Sequence, residues 1–105
     1  MSDDLSALLA AVWQKNLLQF QTRLGRLDQV AAETALVHAF PEPLRAEAIS
    51  IAHKLAGSLG MFGYMRGTEI ARELEVFLHQ DQPDPTRLTQ LTRDLRAAVF
   101  PPQSQ

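Results

Sequence analysis

Apolar positions recur at helical spacing along almost the whole chain. Trp13, Leu17, Phe20, Leu24, Leu27 and Ala31 follow one another at steps of 4, 3, 4, 3 and 4, the seam of a helix packed against neighbours. Leu5, Leu8, Leu9 and Val12 lead into that seam, and Asp3 and Asp4 put negative charge at the helix start, where it suits the dipole. The period runs on through Gly25, which predicts one long helix over about 4–39; two collinear helices are the alternative. A second helix is predicted over about 44–60 and a third over about 66–79, with Ile70, Leu74 and Phe77 on one stripe. Leu88, Leu91, Leu95 and Val99 mark a fourth over about 85–99, opened by Asp84 as N-cap and Pro85 at the first helical position. No stretch alternates with period two, so no strand is predicted.

Proline and glycine punctuate this pattern. The prolines come as three close pairs, 41 and 43, 83 and 85, 101 and 102, each at a predicted helix boundary. Residues 100–105 read as a tail. Four of the five glycines, Gly57, Gly60, Gly63 and Gly67, crowd one stretch. Gly63 and Gly67 read as a turn between the second and third helices. Short connections between successive helices favour antiparallel neighbours. The expected fold is therefore all-α, an up-and-down antiparallel four-helix bundle with a long first helix, and residues 1–105 form one domain.

Composition narrows the function classes. Twelve acidic against ten basic residues give a formal charge of −2, against a nucleic-acid binder. The absence of cysteine removes thiolate metal sites and cysteine nucleophiles. No apolar run is long enough to span a membrane, and an acidic N-terminus has the wrong sign for a signal peptide. A soluble, cytoplasmic protein is expected. No two histidines stand at i, i+3 or i+4, so no metal site is expected, and no phosphate-binding loop occurs.

The second helix carries the chemical signal. On a helical wheel Leu44, Ala48, Ile51, Leu55 and Leu59 form one stripe, and His53 falls about 180° from Leu44. Ala46, Ile49, Ala56, Gly57 and Gly60 share its outward side. Each interior glycine costs about 0.5–1 kcal/mol relative to alanine. Gly57, one turn after His53, removes the side chain that would flank the imidazole, which points to access by a second macromolecule. Tight helix packing is the competing reading, and for Gly60 simply ending the helix serves as well. Neutral imidazole is a nucleophile able to form covalent intermediates. Lys54, adjacent to it, can reach over to neutralise an incoming phosphoryl group. His38 and His79, at helix ends, read as dipole partners.

The run Ala52-His53-Lys54-Leu55-Ala56-Gly57-Ser58-Leu59-Gly60-Met61-Phe62-Gly63, followed by Ile70-Ala71-Arg72-Glu73-Leu74-Glu75, resembles histidine-containing phosphotransfer (HPt) domains. Their pattern is roughly Ala-His-x-Leu-Lys-Gly-Ser-x-x-x-x-Gly, then a helix ending in Leu-Glu. The resemblance implies a four-helix bundle with a phospho-accepting histidine exposed mid-helix, matched by His53. Gly57 matches the glycine that keeps the site open to a receiver domain. Many members carry lysine three residues after the histidine, where this chain has Ala56; Lys54 is the candidate substitute. The implied function is a phosphorelay intermediate of a two-component system. His53 would accept a phosphoryl group from a receiver aspartate or a sensor kinase and pass it to another receiver. Such a carrier is not an enzyme and has no ATP site or cofactor of its own; Mg²⁺ belongs to the partner receiver. Ile49, Ala56, Gly57, Gly60, Met61 and Tyr64 are the candidate docking surface. The expected state is a monomer. A non-catalytic helical adaptor or a dimerisation domain built on the first helix is the alternative.

Overall fold

The first helix, α1, runs unbroken from Ser2 to Val37 and passes Gly25 without a break. It is followed by α2 (Glu42–Met61), α3 (Met65–Leu78) and α4 (Pro85–Val99). The structure, a computed structural model, describes residues 2–100, with side chains from Asp4 onward. The connections are short, so successive helices run antiparallel. Each helix borders two others: α1 packs on α2 and α4, and α3 packs on the same pair. The result is an up-and-down four-helix bundle.

The predicted stripes form the core. Leu24, Leu27 and Val30 of α1 meet Leu55 and Leu59 of α2, Leu74 and Leu78 of α3, and Leu88, Leu91 and Leu95 of α4, all fully buried. Burying each such side chain contributes about 1.5–3 kcal/mol. Two threonines sit in this core at no polar cost, because Thr34 and Thr92 return their hydroxyls to Val30 O and Leu88 O, each at 2.8 Å. Arg26 grips Glu47 with two parallel bonds of 2.7 and 2.8 Å, tying α1 to α2. This bidentate bond, with the charge of Arg26, holds the Glu47 carboxyl below the usual carboxylate range. Asp84 caps α4, its Oδ1 accepting from Thr86 N–H at 3.0 Å.

Four features differ from the sequence expectation. The N-terminal part of the α1 seam is unpartnered: Leu5, Leu8, Leu9 and Val12 are exposed. The bundle stops near Trp13, whose ring packs against Phe62 and Tyr64 at the α2–α3 turn, 4.9 and 5.1 Å between centroids. With about 1.5 Å of rise per residue, 36 residues outrun partners of 14–20 residues. Secondly, Gly67 does not belong to the turn. It lies inside α3, buried, where a Cβ would stand 3.1 Å from Leu59 Cδ1 and 3.3 Å from Val99 Cγ2. Its role is close approach of three helices, while Gly63, at φ 80°, makes the turn. Thirdly, Phe100 is not tail: it ends α4 half-buried, edge-on to Phe20 at 5.6 Å. The rest of the expected tail, 101–105, lies outside the described residues. Fourthly, the buried arc of α2 is turned away from the expected stripe. Ala52 and Ala56 are buried, whereas Leu44 and Ile51 are only half-buried. The helix is covered by α1 on one side and α3 on the other, so its buried side centres between those neighbours rather than on its largest side chains.

Candidate functional site

Two antiparallel helices joined by a tight turn bring together residues equidistant from that turn. His53 and Glu75 each lie eleven residues from Tyr64, one on α2 and one on α3. Their side chains meet, His53 Nδ1 standing 3.2 Å from Glu75 Oε2. The imidazole is 77 % exposed and the carboxylate 25 %. A carboxylate can only accept, so Nδ1 donates its hydrogen to Glu75. That fixes the tautomer of the neutral ring, and the unprotonated Nε2, with its lone pair, is the nitrogen left for other chemistry.

The space beside the ring is open. Gly57, one turn further along α2, is exposed, and a Cβ built there meets nothing within 4 Å. Packing therefore does not require glycine at 57, which removes the tight-packing alternative for this residue. Gly60 is also exposed; a Cβ there would touch only Thr68 Oγ1, at an ordinary 3.8 Å. It lies in the last turn of α2, one residue before the end at Met61, as a helix-ending glycine would. Lys54 is exposed next to His53 and makes no ion pair among the described residues.

The remaining candidates divide. Met61 is 73 % exposed, on the same helix about 12 Å from His53. Ile49 is half-buried, leaning on the core from one turn before His53. Tyr64 is half-buried too, its ring against Trp13. Ala56 does not belong to the exposed surface: it is buried, only 8 % exposed, on the buried side of α2. A lysine at 56 would have to emerge from a buried position, whereas Lys54 stands free in solvent.

Glu75 is the residue the helical wheel missed as a partner of His53. The wheel treats one helix at a time, and the signal lay in the hairpin: equal spacing from the turn on two antiparallel helices. A surface cleft of about 450 Å³ lies away from His53, between the end of α1 and the α3–α4 loop, lined by Thr34, His38, Phe40, Gln82 and Asp84. No cluster of three or more metal-ligating side chains occurs among the described residues, and none of the described helices is long and apolar enough to cross a membrane. The arrangement therefore offers a nucleophilic nitrogen, an oriented ring and an open approach, suited to a macromolecular surface rather than an enclosed small molecule.

Protein RcaC of Microchaete diplosiphon is 35 % identical over 72 residues, which cover 69 % of this chain and 11 % of that protein. The chain thus spans about a tenth of the length of this relative. No solved structure matches significantly. The Hpt domain family model matches residues 4–99, all four helices with the His53–Glu75 pair inside the match, and the chain belongs to the Hpt domain family.

Proposed function

We propose that this chain is a phosphorelay carrier whose phosphoryl-accepting residue is His53. The observation that carries the reading is the His53–Glu75 pair: a histidine exposed for attack, its ring held at Nδ1, beside the unfilled space at Gly57. Hpt domains serve two-component signalling as histidine phosphotransfer modules, and the donor here is the aspartyl phosphate of a receiver domain or the phosphohistidine of a sensor kinase.

The geometry supports a direct step from a receiver. The donor docks on the outward face of α2, over Gly57 and Gly60, with Ile49 and Met61 at the rim. The Nε2 lone pair attacks phosphorus in line. The P–N bond forms as the bond between phosphorus and the aspartyl oxygen breaks, and the aspartate carboxylate leaves with the electron pair. The imidazole becomes cationic as the new bond forms. Glu75 faces that developing charge through Nδ1–H, which stays on the ring throughout. Lys54 neutralises the phosphoryl oxygens from the solvent side. A second receiver aspartate takes the group by the reverse step, and the Mg²⁺ that assists belongs to that receiver. The chain acts as a carrier, with no nucleotide site of its own, and works where its partners are, in the cytoplasm.

The test is incubation with a phosphorylated receiver domain. A label stable to base and labile to acid should appear on the wild type and be absent from His53→Gln. No label on the wild type across a panel of receivers and kinases, or full labelling of His53→Gln, overturns the proposal.

A further inference from the structure

The projecting end of α1 is built differently from the rest of the surface. Leu5, Leu8, Leu9 and Val12 are 60, 61, 48 and 36 % exposed, and they fall on one side of a helix that has left its bundle. Four apolar side chains within eight residues form a continuous stripe at spacings of 3, 1 and 3, the a/d-like pattern of a helix–helix seam. Other exposed apolar side chains, such as Leu18 and Val76, stand singly and need no partner. The charges at the two ends of the stripe are opposite. Asp4 precedes it, Lys15 follows it, both are exposed, and neither makes an ion pair among the described residues.

We propose that this segment is a self-association surface, and that its occupant is a second copy of the chain, paired antiparallel about a twofold axis near residue 10. A twofold interface is self-complementary: what one copy offers, the other must match in reverse. The stripe meets that condition. Leu8 of each copy comes level with the partner's Val12, the two Leu9 side chains meet near the axis, and Leu5 lies along the stem of the partner's Lys15. The ammonium of that Lys15 then reaches Asp4, so each end of the stripe closes with an ion pair. A parallel pairing would instead set Asp4 against Asp4 and Lys15 against Lys15. His53 remains uncovered, because it lies on α2 about 12 Å back from Met61, on the bundle side of the turn. The paired segment is about 18 Å long. Its dozen residues per copy fall short of the roughly 20–30 a side of a standard interface, so the dimer is reversible and dependent on concentration.

Equilibrium sedimentation of the full chain up to about 0.5 mM, where an interface below standard size is populated, tests this. The wild type should show a monomer–dimer equilibrium. Leu8→Glu should weaken it at least about tenfold with an unchanged circular dichroism spectrum, since Leu8 is exposed in the monomer. Asp4→Lys should weaken association, and adding Lys15→Glu should restore it. The chain has no cysteine, so orientation can be read by oxidation: Leu8→Cys mixed with Val12→Cys should give the mixed disulfide in preference to either homodisulfide. A wild type that remains an 11.7 kDa monomer throughout overturns the proposal. So does a preference for homodisulfides, which marks a parallel pair. So does a monomer whose Leu8→Glu variant loses binding to a receiver domain, which assigns the stripe to that partner instead.

Discussion

In the proposed role Gly57 sets stability against function, and the two can be measured on one pair of variants. The residue lies in the interior of α2, exposed, with no atom within 4 Å of an added Cβ. Gly57→Ala therefore brings the helix-propensity gain without steric cost, about 0.5–1 kcal/mol. For a domain near 100 residues, 1 kcal/mol moves the melting temperature by about 4–8 °C, so Gly57→Ala should melt about 2–8 °C higher. Gly57→Gln gains less, glutamine being a slightly poorer helix former than alanine, but still unfolds above the wild type. Helical side chains lean toward the N-terminus of their own helix, so the glutamine introduced by Gly57→Gln leans back over His53. Its amide then occupies the approach to Nε2, and a docked receiver must displace it. A barrier increase of about 1.4 kcal/mol is a tenfold slower transfer, which is the least effect expected for Gly57→Gln. The assays are thermal unfolding by circular dichroism and phosphoryl transfer from a receiver followed by rapid quench. Transfer by Gly57→Gln at the wild-type rate would refute the access argument. A lower melting temperature for Gly57→Ala would refute the open geometry at 57.

Three further outcomes follow from the same structure. Glu75→Gln keeps an acceptor for Nδ1–H but loses the charge; charge-assisted bonds are about twice as strong as neutral ones, a difference of about 1 kcal/mol, so transfer should slow about fivefold, and Glu75→Ala, which also frees the ring, should slow it more. Equal rates for wild type and Glu75→Ala by rapid quench would show that the pair plays no part. Gly67→Ala should destabilise by about 1 kcal/mol, the overpacking against Leu59 and Val99 exceeding the propensity gain, so its melting temperature should move opposite to that of Gly57→Ala. Glu47 is held below the usual carboxylate range by Arg26, so its contribution is present above about pH 4.3, the unfolded value, and is lost as pH falls through the lower folded value. The melting-temperature difference between wild type and Glu47→Gln should thus be largest at neutral pH and shrink in acid; a difference independent of pH contradicts the bonding.

The bundle was legible because its signals are local to each helix. Proline pairs break helices wherever they fall, Asp84 and Pro85 start one, and the stripe from Leu88 to Val99 needs only its own spacing to be read. His53 was legible for the same reason: a histidine on the outward side of an apolar helix, with a glycine one turn on. What escaped depends on distances between helices. The sequence shows an apolar set from Leu5 leading into the seam but not where the partners of α1 end, and Leu5 and Leu8 lie on the surface. It shows five glycines but not which meets a neighbour: Gly57 faces open space, while Gly67, read as a turn residue, is pressed by Leu59 and Val99. Ala56 escapes a wheel centred on leucines because α2 is covered by two helices, α1 and α3, and its buried arc is wider than the leucine stripe.

The contacts that escaped also position the site. A carboxylate on α3 can hold a ring on α2 only if the two helices keep one register, and three features of the hairpin fix it. Gly63, at φ 80°, sets a turn that most residues would strain. Gly67 lets α3 approach until Leu59 and Val99 fill the space where a side chain would stand, which resists sliding by even one residue. Tyr64 N–H donates to Leu59 O at 3.0 Å and Thr68 N–H to Tyr64 O at 2.9 Å, tying the end of α2 to the start of α3. A slip of one residue would turn Glu75 by about 100° and leave Nδ1 unheld. The glycines of this stretch thus act at different distances from one nitrogen. Gly63 and Gly67 fix the carboxylate that orients the ring, and Gly57, which packing does not need, keeps the other side of the ring clear.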